Sequence, residues 1–487
     1  MTATDNRVDV GGISVSTWHY IGGQRIGSPA TFEDRSPLDW SHKLADVARG
    51  DLATADAAIG AAVAAFPAWA ELGPTGRAII LRRLADLIDA NIDSLAIVEC
   101  MDMGMLHESL RLRVLARGAR NFRAYADLAE QYQEREWSSN GTDNRVIRMP
   151  AGPTVIITPW NAPFMLSTWK CAPALAAGNT VVLKPAEWSP LSCSLLADLV
   201  NDAGVPAGVF NIVQGIGEEV GAALVADPRV RRISFTGSPE TARHIGAAAA
   251  ANIVPFTAEL GGKGPFVVFA DCDVEAAAKK AAGQYDDSGQ VCLAGTRLLV
   301  QASIRDQFLD RFNHYADLHV LGDSFDAATT ISPMIHPDHV ARVAGFVDRA
   351  RANGDRILRG GQVDHDLWYQ PTLIEPRSND SEIVQHEVFG PVLTLQTFVD
   401  EAEAIALANS TQYGLSAIVY TGSRDCAERM GRAIRAGTVW TNCFLVRDLT
   451  APFGGVGLSG IGREGGDYAL DFYSELKMFQ VLDGTTR

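Results

Sequence analysis

A cysteine, Cys292, closes the run Ser288-Gly289-Gln290-Val291-Cys292, 33 residues after the glutamate that opens Glu259-Leu260-Gly261-Gly262-Lys263. A thiolate is a soft nucleophile that adds to carbonyl carbon, and a carboxylate can draw a proton from water. Glycines beside each let the backbone turn sharply or come close to a ligand. Together the two groups supply what is needed to carry an aldehyde carbon to the acid level: an attacking sulfur, then an activated water. Taken alone, Cys292 is also compatible with an inert buried cysteine, and Glu259 with a surface carboxylate at a strand end. Reactivity requires the sulfur to be ionised, through a lowered thiol pKa or a helix N-terminus beside it. Partial burial between Ala258 and Leu260 would lift Glu259 towards the range of a general base.

Four further segments bring polar groups to the ends of short β-rich runs. Pro159-Trp160-Asn161 follows one directly, and Asn161 is placed either to donate to a developing oxyanion or to cap the next helix. Lys184-Pro185-Ala186-Glu187 ends another. Its Lys and Glu suit the hydroxyls of one ribose, or form a plain i,i+3 ion pair. A free carboxylate there accepts from a 2′-hydroxyl and repels a 2′-phosphate, which points to NAD rather than NADP. Gly215-Ile216-Gly217-Glu218-Glu219-Val220-Gly221 is one residue longer than the usual dinucleotide fingerprint. Phe235-Thr236-Gly237-Ser238 is a strand-to-helix turn able to meet a pyrophosphate at a helix N-terminus. Either could equally be a tight turn.

These groups need elements to hold them. Helical periodicity predicts helices over 53–70, 75–100 and about 106–130, then an extended hairpin over 131–150. From 153 a strand–helix rhythm begins: strands at 153–158, 180–183, 209–213 and 232–235, with helices at 164–177, from an N-cap at Ser189 with Pro190 first in the helix to Gly204, and at 216–226. Beyond a hinge at Gly261-Gly262 it restarts, with strands at 265–269 and 296–300 and helices at 274–287 and 303–316. Such alternation means βαβ units on parallel sheets, hence an α/β fold with two Rossmann-like domains. The tail, 468–487, alternates weakly and is expected to pair with the 131–150 hairpin, within the chain or in another subunit.

A chain of 487 residues exceeds one ordinary core. With 47% apolar and 21% charged residues it reads as soluble and globular, and a formal charge of −16 argues against nucleic-acid or anionic-membrane partners. Seven widely spaced cysteines without C-x-x-C suggest a reducing compartment, and no His/Cys cluster suggests a metal. The polar stretch Met1 to Arg7 has no signal core, and no apolar run approaches the roughly 20 residues of a membrane span. A cytoplasmic protein is expected.

Taken in order, seven segments resemble the aldehyde dehydrogenase superfamily over nearly the whole chain: the four just named from Pro159, Lys184, Phe235 and Glu259, with Gly289-Gln290-Val291-Cys292, Glu387-Val388-Phe389-Gly390-Pro391 and Pro452-Phe453-Gly454-Gly455. The resemblance implies an NAD-binding domain (1–130 and 150–260), a catalytic domain (261–467) and a small β oligomerisation element (131–149 and 468–487) serving a homodimer or homotetramer. It implies Cys292 as nucleophile, Asn161 and the Cys292 N–H as oxyanion donors, Glu259 as the base, and Lys170 with Glu464 as a proton relay. It implies NAD contacts at Ile157, Thr158, Trp160, Lys184, Glu187, Gly217, Gly221, Phe235, Gly237, Ser238, Leu260, Glu387 and Phe389. The chain departs from the family pattern at Gly264, at His386, and at Asp286-Asp287, where aromatic or amide side chains are commoner.

The run Arg447-Asp448-Leu449, with Gly460 to Gly466 and Pro163 to Lys170, resembles the 2-hydroxymuconic and 5-carboxymethyl-2-hydroxymuconic semialdehyde dehydrogenase branch. That implies a pocket with Trp169 and Phe453, in which Arg117 and Arg447 grip the carboxylate and enolate oxygens of a ring-cleavage semialdehyde. Otherwise Arg447 pairs with Asp448 or a neighbouring subunit, and Arg117 is a surface residue. Two rival readings are a broad aliphatic or aromatic aldehyde dehydrogenase and a non-catalytic protein on the same scaffold.

Overall fold

A computed structural model describes residues 5–482. Its two main sheets are built as the alternation predicts. The first has the spatial order Gly460–Ile461, Phe256–Leu260, Arg232–Gly237, Thr154–Ile157, Val181–Lys184, Phe210–Ile212, His19–Ile21, Gln24–Ile26. The five strands from Phe256–Leu260 to Phe210–Ile212 are parallel. Thr154–Ile157 comes first in the chain among these five and sits in the middle, so the order reverses between it and Arg232–Gly237. A ligand crevice opens at the carboxyl ends of strands beside such a reversal. The second sheet runs Arg356–Arg359, Thr372–Glu375, Val392–Phe398, Arg297–Gln301, Pro265–Val268, Ser416–Tyr420, Thr438–Thr441. Its strands are fully buried at Pro265–Val268 and Ser416–Tyr420, as expected of a sheet covered by helices on both faces.

The hairpin Arg135–Ser139/Thr142–Pro150 and the tail strand Ser474–Leu482 form a separate three-stranded sheet, with Ser474 opposite Pro150 and Leu482 opposite Thr142. The tail therefore pairs within its own chain. Residues 483–487 of the expected tail, like 1–4, lie outside the described residues. Leu476, Met478, Phe479 and Leu482 of this strand are exposed.

Several boundaries differ from the sequence expectation. The helix expected over 75–100 is two, Gly73–Ala90 and Ile92–Met103, because Asn91 turns its side chain back onto Leu87 O at 2.8 Å. The helix expected from about 106 contains a π turn at Leu110–Val114. Ser189 does not cap a helix; its hydroxyl donates to Trp160 O at 3.2 Å, and the helix begins at Leu191. The helix from Val274 stops at Ala282, and a kinked 3₁₀ segment, Gly283–Gly289, follows. Among the described residues one helix, Leu52–Glu71, is long and apolar enough by length and composition to cross a membrane, although Thr54 and Asp56 interrupt its apolar run. It is built largely of alanine and buries Ala55, Ala58, Ile59, Ala62 and Trp69 in the protein's own cores.

Packing also fixes the helix that carries two site residues. Glu99 is fully buried, and its Oε2 accepts from the N–H of Phe164 at 3.2 Å, in the first turn of the helix Pro163–Ala176. Burial pushes its carboxyl up to about 8. The unfolded chain ionises this group near 4.5 whereas the fold keeps its proton, so stability falls as pH rises from about 4.5 to about 8. Glu99→Gln keeps the acceptor without the charge. Thermal melts of both proteins at pH 5 and pH 8 should show the mutant losing less stability across the interval, by on the order of 3 kcal/mol. Equal losses would mean that Glu99 is already ionised in the fold at neutral pH.

Candidate active site

Glu259 ends the strand Phe256–Leu260, and Asn161 follows the strand Thr154–Ile157. Cys292 lies on the loop that enters Arg297–Gln301. The carboxyl ends of the first sheet thus face the amino ends of the second. Between them lies a cavity of about 390 Å³ lined by Cys292, Glu259, Asn161, Leu260, Trp169, Arg117, Arg447, Phe453 and Glu464, all expected from sequence.

Asn161 Nδ2 donates to Gln290 O at 2.8 Å, and the following helix has no side-chain cap. The capping alternative therefore does not apply. One amide hydrogen ties Asn161 to the cysteine loop and the other is free towards the cavity. Both carboxylate oxygens of Glu259 are buried without a hydrogen-bond partner among the described residues. Burial and the negative charge of Glu464 hold its carboxyl well above the usual range. An orphaned buried carboxylate is costly, and such cost is typical of a group kept for chemistry. Gly454 permits it: a Cβ there would lie 2.7 Å from Glu259 Oε1.

The thiol departs from the sequence expectation. Burial pushes Cys292 up to about 12, with Glu387 adding to the shift and Arg447 opposing it. Cys292 is not held as a thiolate, so its proton must be removed as the sulfur attacks, and Glu259 is a base in the same cavity.

Lys170 is fully buried. Its ammonium donates to Glu464 Oε1, to Ser234 Oγ at 3.0 Å and to Phe235 O at 3.3 Å. Glu464 Oε2 accepts from Trp169 Nε1 at 2.5 Å. The backbones of Phe453 and Glu464 pair through hydrogen bonds of 2.6 and 2.7 Å, which brings the C-terminal segment to the cavity.

Arg117 and Arg447 both lie over the ring of Trp169, at 5.1 and 5.7 Å, and Arg447 lies 3.8 Å from the centroid of Phe453. Neither forms an ion pair among the described residues. Asp448 is occupied by Thr450, accepting at 2.9 and 2.8 Å, so the Arg447–Asp448 alternative is excluded. The Nε of Arg117 is buried and unpartnered, so it is not a surface residue. Burial, then the charge of Arg447, lowers Arg117 to about 9. Two unpaired guanidiniums stacked on aromatic rings form a ready anion site.

The expected cofactor residues fall into three groups. At one strand end Lys184 Nζ donates to Glu187 Oε2 at 2.9 Å and to Pro185 O at 3.0 Å, so the plain ion pair is present. Thr158 shares a hydrogen bond of 2.9 Å with Ser167, next to Ile157 and Trp160. At a second strand end, after Phe235 and Gly237, Ser238 caps the helix Pro239–Ala251. Ser238 borders a cavity of about 440 Å³ shared with Arg243, Arg342 and Glu387. Gly217 and Gly221 bound a π turn, and a Cβ at Gly221 would come into ordinary contact with Lys184. In the third group Glu387 Oε1 accepts from Gly262 N–H at 2.7 Å, and burial pushes its carboxyl up to about 7. A Cβ at Gly261 would lie 1.8 Å from Glu387 Oε2, so that approach requires glycine. Phe389 has a left-handed φ of 58° and packs edge-on to Trp160 at 5.3 Å. A lysine-paired carboxylate at a strand end, a capped helix N-terminus beside arginine, and a second carboxylate near the thiol loop fit a dinucleotide.

Sequence reasoning missed Arg113, Arg120 and Asp287, which also line the thiol cavity, and Ser234 beneath Lys170. The arginines had a signal: 113, 117 and 120 follow i, i+4, i+7 spacing on one helix face.

A parallel-sheet crevice beside a thiol and an unpaired carboxylate defines an enzyme able to work through a covalent thiol adduct. The family model described as "Aldehyde dehydrogenase family" matches residues 26–479. The 2-hydroxymuconic semialdehyde dehydrogenase of Pseudomonas sp. (strain CF600) is 39% identical over 94% of this chain and 98% of its own. A betaine aldehyde dehydrogenase of Cereibacter sphaeroides is 40% identical over 88% and 89%. The crystal structure of an indole-3-acetaldehyde dehydrogenase with NAD+ superposes with a TM-score of 0.95 at 36% identity, covering 97% of this chain and 98% of that one. The chain belongs to the aldehyde dehydrogenase family.

Proposed function

We propose that this enzyme oxidises a carboxylate-bearing semialdehyde, of which 2-hydroxymuconic semialdehyde is an example, with NAD as acceptor. The observation that carries this reading is the single cavity shared by Cys292, the orphaned Glu259 and the two unpaired arginines. Cys292 Sγ adds to the aldehyde carbon as Glu259 takes the thiol proton. The Asn161 amide and the Cys292 N–H hold the oxyanion. NAD, when bound, would supply the acceptor for the hydride leaving that carbon, and loss of the hydride leaves a thioester on Cys292. Glu259, having passed its proton towards the carboxylate of Glu464, which the Lys170 ammonium holds in place, draws a proton from water, which attacks the thioester and frees the acid. The residues that would hold NAD are Lys184 and Glu187 at the adenosine ribose, Ser238 at the pyrophosphate, and Glu387 with Phe389 at the nicotinamide end. Thr158, Trp160, Gly217, Gly221, Gly237 and Leu260 shape the walls.

Arg117 and Arg447 bind the substrate carboxylate while Trp169 and Phe453 keep their guanidiniums flat. A positively charged aldehyde would be repelled by the same pair. Residues 1–130 with 150–260 serve the nucleotide, and 261–467 carry the thiol. The hairpin and tail sheet, with its exposed apolar strand, meets a second copy.

The test is NADH formation over a panel of charged and neutral aldehydes. Arg447→Ala should lower kcat/KM for carboxylated semialdehydes by about 30- to 300-fold, the loss of one charge-assisted bidentate contact. Neutral aldehydes of the same length should change by no more than about 3-fold on this scale. Arg447→Lys should fall between, keeping the charge without the fork. Equal losses on both substrate types would refute the grip.

A further inference from the structure

Asp287 lines the thiol cavity, yet no step above uses it. Among the described residues only its backbone carbonyl is engaged, by Gln290 N–H at 3.1 Å and Gln290 Nε2 at 3.4 Å. Its carboxylate makes no hydrogen bond and no ion pair there.

The backbone goes to some length to present it. Asp287 and Ser288 are consecutive non-glycine residues in the left-handed region, with φ of 53° each. Such conformations persist only when the surroundings enforce them, and they gather at ligand sites. The anchors are visible. Ser288 Oγ donates to Ser332 O, and Gln290 Oε1 accepts from Ile335 N–H at 3.1 Å. The loop is tied down at two points between Asp287 and Cys292, while the side chain of Asp287 is left without a partner among the described residues.

The charges around Asp287 sharpen the point. Burial and the neighbouring Asp286 push its carboxyl up to about 6, opposed by the charge of Arg113, which lies one helical turn before Arg117. Asp287 shares the cavity with Arg117 and Arg447, the groups proposed to hold the substrate's carboxylate. An unpaired carboxylate is a poor neighbour for a bare anion. It suits an anion that carries a hydrogen-bond donor next to it.

We propose that Asp287 is a specificity-determining residue that accepts a hydrogen bond from a hydroxyl or amino group borne by the substrate beside its carboxylate. The enzyme then selects semialdehydes carrying both an anion and an adjacent donor. This rests on the arginine grip proposed above and adds a second recognition element to it.

The experiment measures kcat/KM for wild type, Asp287→Ala and Asp287→Asn on three aldehydes of one chain length. The first bears a carboxylate and an adjacent hydroxyl, the second a carboxylate alone, the third neither. Wild type should favour the first over the second by about 30- to 100-fold, since a site built to hydrogen-bond a donor discriminates against its absence. Asp287→Ala should erase that preference, changing the second and third by no more than about 3-fold on the same scale. Asp287→Asn, which keeps an acceptor oxygen without charge, should retain part of it. Equal change on the first two substrates in the alanine variant would overturn the proposal. So would equal gains on both, which would mean that Asp287 merely opposes anions. The grip itself is read from a different contrast: if wild type does not prefer the second substrate over the third, the arginine reading fails whatever Asp287 does. Unchanged melting temperatures in both variants confirm that the loop still folds.

Discussion

Replacing Cys292 by alanine should lower NADH formation by about 10⁴- to 10⁶-fold, the range seen when a covalent nucleophile is removed. The expectation follows from position rather than from a reactive resting thiol. Burial holds the sulfur protonated near neutral pH, and Arg447 offsets this only in part. The sulfur is valuable because it faces Asn161 and Glu259 across one cavity. Without it the aldehyde can still enter, but no adduct forms from which hydride can leave. Mass spectrometry of wild type quenched during turnover should show an acyl adduct on the peptide containing Cys292, and the alanine variant should show none. Cys443, also free and partly exposed, provides the control: Cys443→Ser should leave turnover within about 3-fold. Residual activity within 100-fold of wild type in the Cys292 variant would remove the covalent reading altogether.

Glu259→Gln should give a different failure. The substitution keeps size and removes the base, so hydrolysis of the thioester should slow by about 10²- to 10⁴-fold. Stopped-flow absorbance should then show a burst of close to one NADH per subunit, followed by near arrest. The burst rate carries separate information. If Glu259 also takes the thiol proton, the burst slows as well, though by less than the steady state. The sign of the pH dependence follows from the environment. Burial and Glu464 raise the carboxyl, and the ionised form is the base, so wild-type deacylation should climb as pH rises through that raised value. In Glu259→Gln this climb should vanish. A burst and a steady state that fall by the same factor would leave no role for Glu259 in hydrolysis.

The placement of Lys170 and Glu464 connects the two results. Glu464 is fixed by the buried ammonium of Lys170 and by Trp169 Nε1, and its charge in turn lifts Glu259. A buried pair of this kind is costly to break from one side, typically by about 3–5 kcal/mol. The base therefore depends on a residue 205 positions further along the chain, 464 against 259. The antiparallel pairing of Gly460–Ile461 with the strand Phe256–Leu260, together with the backbone pairing of Phe453 with Glu464, brings that residue back.

The amino-acid sequence by itself determined the parallel-sheet architecture, because strand–helix alternation and glycine stops are written in local periodicity. It also determined the identity of the reacting groups, since Cys292, Glu259 and Asn161 each sit in short motifs at strand or loop ends. Some helix boundaries escaped it. Asn91 and the Asp287–Ser288 kink break helices through side-chain and long-range anchors that no short window contains. Tertiary structure alone decided how those groups behave. The protonated state of Cys292, the orphaned oxygens of Glu259, the stacking of Arg117 and Arg447 on one tryptophan and the unpaired carboxylate of Asp287 all arise from desolvation and charge proximity between distant segments. Burial and Coulomb interaction depend on distance in space, and residue order fixes that distance only once the two sheets have packed against each other.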